Sequence, residues 1–311
     1  MLVIVAPGQG AQTPGFLAPW LEVDGVADRL HWWSAVAGLD LVHYGTEADA
    51  DAIKDTSVAQ PLLVAAGLAA AAALFPEPAD LRRVGVFAGH SVGETTTAAL
   101  AGVLSAESAM AFIRQRGLAM AEAAAQVETG MAAILGGDPD EVAEKLAKYG
   151  LIAANNNGGG QLVAAGPLEQ LEAFRADAPA KARVVALKVA GAFHTEYMAP
   201  GVERLRRIAA GIPVADPAVP YLSNADGSAL DSGAEILSRL VSQVSNPVRW
   251  DLCMEMLEAM GATAVIELPP AGTLTGLLKR NLKGVATLAL KTPDDLDKAR
   301  ELIAEHAAPE G

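Results

Sequence analysis

Gly89-His90-Ser91-Val92-Gly93 constrains this chain more than any other stretch. The apolar run 84–88 before it predicts a strand, and residues 94–100 after it predict a helix. A chain that turns from strand to helix within five residues brings its two arms so close that a Cβ at either flank collides. Glycine therefore brackets the serine on both sides. The turn lifts the serine hydroxyl clear of the backbone. It also aims the Val92 N–H, at the helix start, toward an oxygen that turns negative when the serine attacks a carbonyl. Ser91 is thus the candidate nucleophile and Val92 a candidate oxyanion donor.

Strand 2–6 opens into the loop Pro7-Gly8-Gln9-Gly10-Ala11-Gln12, and residues 17–75 read as mostly helical, with Asp55-Thr56-Ser57 as a cap. A second helix is expected over 105–125. Strands interleaved with helices predict an α/β sheet covered on both faces. Between 127 and 190 the pattern changes: strand 131–135, helix 139–149, strands 151–154 and 161–164, helix 167–176 and strand 184–189. That β-α-β-β-α-β order is the split arrangement of a ferredoxin-like domain. Strands 219–223 and 264–268 then return to the main sheet. The expected architecture is an α/β-hydrolase-like large domain of mostly parallel sheet over 1–126 and 191–311, with a small ferredoxin-like domain inserted at 127–190. Pockets form at such boundaries.

A formal charge of −14, from 23 basic and 37 acidic residues, excludes the basic surface that nucleic acid or an anionic membrane requires. The longest apolar run, 61–75, falls short of the ~20 residues that span a bilayer and is rich in alanine, so a buried helix is expected. Met1 leads directly into a strand without a basic segment, which predicts no signal peptide. The single cysteine, Cys253, rules out internal disulfides and cysteine-rich metal sites and fits a reducing cytoplasm.

A serine nucleophile needs a base held in one orientation. Of five histidines, His90 adjoins Ser91 on a tight turn where side chains diverge. His31 and His43 lie in the helical N-terminal stretch, and His306 falls in a charged C-terminal tail read as solvated and frayed. His194, in Ala190-Gly191-Ala192-Phe193-His194-Thr195, directly follows the inserted domain and sits at the mouth between the two. Gln9, flanked by glycines, offers a second backbone N–H for the oxyanion.

Together these segments, with Gln115-Arg116-Gly117, Asn155-Asn156-Asn157 and Gln243-Val244-Ser245-Asn246-Pro247-Val248, resemble the malonyl-CoA:acyl-carrier-protein transacylases of bacterial fatty acid synthesis. More broadly they resemble the acyltransferase domains of polyketide synthases. The resemblance implies that Ser91 is acylated and that His194 takes its proton and later returns it to a leaving thiol. It implies no aspartate third member: a backbone carbonyl in the Gln243 segment orients the histidine, and the Gln243 side chain lines the site. It makes Arg116, otherwise a charged residue on an exposed helix face, the group that grips the malonyl carboxylate, as a planar guanidinium can. Asn157 and Phe193 fall to substrate binding, with Phe193 crowding an α-methyl branch. The partners implied are malonyl-CoA and an acidic acyl carrier protein, met by a monomer with no metal and no cofactor. Candidate docking cations are Lys181, Arg183, Lys188, Arg204, Arg206, Arg207, Lys279, Arg280 and Lys283. The sequence departs from its relatives at Leu268-Pro269-Pro270-Ala271-Gly272, where a Gly-Pro-Gly turn is usual, and this bears on a loop at the pocket rim. The competing expectation is a serine esterase or thioesterase using the same elbow, for which His306 would be the late-chain base.

Overall fold

The computed structural model describes residues 1–308. The opening run forms β1 (Leu2–Ala6), buried throughout. Three helices follow, α1 (Val26–Ala37), α2 (Leu41–Thr46) and α3 (Thr56–Leu74). Asp55 caps α3, its carboxylate accepting from the Ser57 N–H at 2.7 Å. The cap starts the helix ahead of the apolar run, so α3 reaches 19 residues. By length and composition alone it could cross a bilayer, yet 83% of its apolar window is buried inside the protein.

β2 (Val86–Gly89) turns through the elbow into α4 (Gly93–Leu100), and Ser105 caps α5 (Ala106–Ala124). Then come β3 (Thr129–Gly136), α6 (Pro139–Lys148), β4 (Ile152–Asn156), β5 (Gln161–Pro167), α7 (Leu168–Ala176) and β6 (Ala182–Ala186). After them run α8 (Ala199–Ala209), β7 (Tyr221–Leu222), β8 (Ala229–Leu230) and α9 (Gly233–Ser242). The chain continues with β9 (Val248–Arg249), α10 (Trp250–Ala259), β10 (Ala264–Glu267), α11 (Thr273–Asn281), β11 (Ala286–Ala289) and α12 (Leu296–His306).

Two mixed sheets result. The larger has the order β11-β10-β1-β2-β7-β8, parallel except for the β7–β8 pair. Alternate residues of β1 enter different cores: Leu2, Ile4 and Ala6 join one, Val3 and Val5 the other. A sheet covered on both faces demands such an all-apolar strand. The smaller sheet runs β6-β3-β5-β4-β9, with a third core from Ile134, Val142, Leu146 and Phe174.

Three features differ from the sequence reading. β9 pairs in parallel with β4, Asn155 opposite Val248, so the small sheet takes a strand from outside 127–190. β11, absent from that reading, extends the large sheet beside β10. His306 is not in a frayed tail. It ends α12, whose Leu296, Ala299 and Ile303 recur at helical spacing and dock on the main core, and its Nδ1 is 2.9 Å from Thr263 Oγ1.

Candidate active site

The elbow is as tight as its glycines demand. A Cβ on Gly89 would lie 2.0 Å from the Gly93 carbonyl carbon, and one on Gly93 would lie 2.1 Å from the Ala6 carbonyl oxygen. Ser91 itself adopts φ 53, the left-handed region that non-glycine residues avoid. Asn224, on the turn after β7, holds it there. Its Oδ1 accepts from the Ser91 N–H at 2.7 Å, and its Nδ2 donates to the Gly89 carbonyl at 2.7 Å.

His194 arrives from the loop after β6, also strained at φ 63 and tied by its N–H to the Val244 carbonyl at 3.1 Å. Its Nε2 lies 2.8 Å from Ser91 Oγ and its Nδ1 lies 3.0 Å from the Gln243 carbonyl oxygen. A carbonyl can only accept, so Nδ1 carries the proton and Nε2 presents a lone pair to the serine hydroxyl. Burial, and then the Arg116 charge, push the His194 pKa down to about 3. The ring is therefore neutral at physiological pH, with the Nε2 lone pair facing the serine hydroxyl.

Arg116 is buried, not exposed. Gly117 lets α5 press against the start of α3, where a Cβ would lie 2.8 Å from the Thr56 carbonyl oxygen. The guanidinium then reaches inward: Nη1 donates to Gln60 Oε1 at 2.7 Å, and Nη2 to Gln243 Oε1 at 2.6 Å and Ser91 Oγ at 3.3 Å. Burial lowers its pKa to about 10, which leaves it charged.

A cavity of about 270 Å³ opens over Ser91, His194 and Gln60. Gln9, Val92, Phe193 and Asn157 line it together with Ser91 and His194. Among the described residues, neither the Gln9 nor the Val92 backbone N–H has a hydrogen-bond partner. Two free amides beside the nucleophile are what a developing oxyanion requires. Asn157 Oδ1 is 2.9 Å from His90 Nε2, so His90 turns away from Ser91 and braces the wall. Thr273 and Leu274 bring the segment after Pro269-Pro270 to the cavity edge, and Leu187 and Val189, beyond the end of β6, line it from the small sheet. The geometry thus brings all eight sequence-derived residues to one place. His306, held at Thr263, takes no part.

Three polar side chains escaped the sequence reading. Glu94, Asn224 and Gln60 are all buried around the catalytic groups. Gln60 had a visible signal, an amide inside an otherwise apolar helical run. Asn224 follows a strand of the parallel sheet at the carboxyl edge, where sites gather. Glu94 adjoins the elbow, where an acidic first-turn residue reads as an ordinary partner of the helix dipole. Burial instead raises its pKa to about 7.

Comparison with known proteins agrees with this chemistry. The malonyl CoA-acyl carrier protein transacylase of Mycobacterium tuberculosis (strain ATCC 25618 / H37Rv) is 50% identical over 302 residues, covering 97% of this chain and 100% of that protein. The Escherichia coli (strain K12) protein of the same name is 33% identical over 309 residues, covering 96% and 98%. A crystal structure of MCAT from Mycobacterium tuberculosis superposes with a TM-score of 0.93 at 50% identity, over 96% of this chain and 99% of that one. Residues 3–302 match the family described as acyl transferase domain, and since that match takes in the elbow, the base and the arginine alike, the chain belongs to that family.

Proposed function

We propose that this protein transfers the malonyl group of malonyl-CoA to the phosphopantetheine thiol of an acyl carrier protein, for fatty acid synthesis, through an ester on Ser91. Full-length relatives bear that activity in their names. One distance carries most weight: Arg116 Nη2 lies 3.3 Å from Ser91 Oγ. A malonyl thioester has its carboxylate two carbons from the carbonyl, so a cation this near the nucleophile selects an acyl group with a charged end.

His194 Nε2 removes the Ser91 proton as Oγ attacks the thioester carbonyl. The Gln9 and Val92 N–H groups hold the tetrahedral oxyanion, each such donor contributing about 3 kcal/mol. The carbon–sulfur bond breaks, and the His194 proton passes to the departing CoA thiolate. The carrier thiol then gives its proton to His194, attacks the malonyl ester and releases Ser91, which regains the proton. Phe193 narrows the cavity beside the α-carbon and favours malonyl over methylmalonyl.

The neighbour order β6-β3-β5-β4, all antiparallel, supports a ferredoxin-like insertion at 127–190. The parallel core β11-β10-β1-β2-β7 supports an α/β-hydrolase-like large domain over 1–126 and 191–311. The carrier docks on the cations nearest the cavity rim: Lys188, between the lining residues Leu187 and Val189, and Arg280, whose Nη2 is 3.2 Å from the lining Gln161. Arg204 and Arg206 are engaged by Glu122 and Glu203. The acidic balance speaks against nucleic acid and an anionic membrane as partners, the single cysteine fits a reducing cytoplasm, and the family resemblance favours a monomer.

Intact-protein mass spectrometry after brief mixing with malonyl-CoA, acetyl-CoA and methylmalonyl-CoA tests the reading. A malonyl adduct on Ser91 that exceeds the other two and is lost in Arg116→Ala is expected. Equal acetyl labelling removes Arg116 from its role, and free CoA accumulating without adduct means a hydrolase.

A further inference from the structure

Glu94 is buried behind the nucleophile, and the catalytic steps above do not use it. Its Oε1 accepts from the Asn224 N–H at 2.7 Å, and its Oε2 accepts from Gln243 Nε2. The same Gln243 side chain presents Oε1 to Arg116 Nη2 at 2.6 Å. One amide therefore bridges a buried carboxylate and a buried guanidinium, and each end is set by what it faces: acceptors around Nε2, a donor at Oε1. Glu94 has no cation in direct contact among the described residues.

From these contacts, and resting on the malonyl reading above, we infer that Glu94 is the positioning residue of carboxylate recognition: it balances Arg116 through Gln243 in the empty site and takes up one proton when the substrate carboxylate engages Arg116. Charge bookkeeping requires such a response. The empty site holds one cation and one anion. A second carboxylate leaves a net negative charge in a buried place, which is costly unless a proton joins it. Glu94 is the group able to take that proton. Arg116 on α5 stays charged, and His194 is held neutral by burial and by that same cation. Tyr221 on β7 and Cys253 on α10 are pushed well up and stay neutral. Arg239 on α9 is paired with Asp226 and Glu235, and Arg249 on β9 with Asp251. Burial raises the Glu94 pKa to about 7, so above that pH it is the anion of the empty site and lies within reach of protonation.

A route for the proton is present. A second cavity, of about 420 Å³, is lined by Glu94, Gln243, Ser223, Arg239 and Arg249 among others, and shares no lining residue with the acyl cavity. That volume holds water. Protons thus reach Glu94 without entering the chamber where the ester forms.

Calorimetric titration of Ser91→Ala tests this, at about pH 8 in buffers of different ionisation enthalpy, so that heat reports protons as well as binding. Malonyl-CoA is expected to bind with uptake approaching one proton, and acetyl-CoA, which carries the same nucleotide phosphates, with none. In Ser91→Ala/Glu94→Gln the malonyl-specific uptake disappears. Across the pH range above Glu94's own pKa, malonyl-CoA affinity in Ser91→Ala falls up to tenfold per unit, whereas the double variant stays flat. Malonyl-CoA that binds with preference over acetyl-CoA but without proton uptake overturns the role of Glu94 and leaves the malonyl reading standing. Uptake that persists in the double variant also overturns it. Absence of any malonyl preference defeats the malonyl reading itself. The Ser91→Ala titration decides even if the double variant does not fold.

Discussion

Replacing Asn224 with alanine tests whether the strained serine is held in place from outside the elbow. Its side chain supplies an acceptor to the Ser91 N–H and a donor to the Gly89 carbonyl, both at 2.7 Å, across more than 130 residues of chain. Alanine leaves both backbone groups buried without these partners. Each costs about 1–3 kcal/mol, or about 2–6 kcal/mol together. For a chain of this length the unfolding entropy is roughly 0.65 kcal/mol per degree, so Tm falls by about 3–9 °C. Ser91 at φ 53 also carries strain of about 1–3 kcal/mol that a released turn will relieve, moving Oγ off the His194 Nε2 axis. Misplacement of that kind slows malonylation by about 100-fold. Differential scanning fluorimetry and rapid-quench mass spectrometry read the two effects. Asn224→Asp separates the two bonds: it keeps the acceptor for Ser91 but turns a second oxygen on the Gly89 carbonyl and adds a charge near Glu94. It is expected to behave no better than alanine. An alanine variant with unchanged Tm and unchanged malonylation would refute the idea that Asn224 holds the turn.

Other outcomes follow from the same geometry. Phe193→Ala opens the cavity beside the acyl chain and is expected to raise methylmalonyl-CoA use relative to malonyl-CoA by about 10- to 200-fold, read as a ratio of kcat/KM. Gly8→Ala places a Cβ 3.0 Å from both the His90 ring and its carbonyl. The loop carrying the Gln9 N–H must then yield, and kcat should drop about tenfold with Tm nearly unchanged. His194 has a folded pKa far below the ordinary 6.5, so the unfolded chain binds a proton that the native state refuses. Its contribution to stability is intact above about pH 6.5 and drains away as pH falls toward 3. Urea midpoints measured at intervals between these limits should decline less steeply in His194→Gln than in the parent; equal slopes would place the acid sensitivity elsewhere.

Local chemistry was legible from residue order. The elbow is a short-range event, because Gly89 and Gly93 answer collisions with atoms a few residues or one neighbouring strand away. The apolar strands and the capped, alanine-rich α3 follow from periodicity in the same way. Arg116 was different. On its own helix it reads as a surface charge, and only the approach of α5 to α3 at Gly117, together with amides from Gln60 and Gln243, makes an interior place for it. The orientation of His194 depends on a backbone carbonyl 49 residues away, and a carbonyl has no side-chain signature to find. Glu94 looked like a helix-start acid. Its environment comes from Tyr221 and Asn224, on and just after β7, and from Gln243 after α9, two segments far along the chain from the elbow. The fifth strand of the small sheet and the docking of α12 likewise depend on pairings between distant segments. Residue order alone dictates which group attacks and how the turn presents it. Which charges are buried, and what balances them, comes from the folded interior, because desolvation and pairing belong to the assembled core and to no single segment.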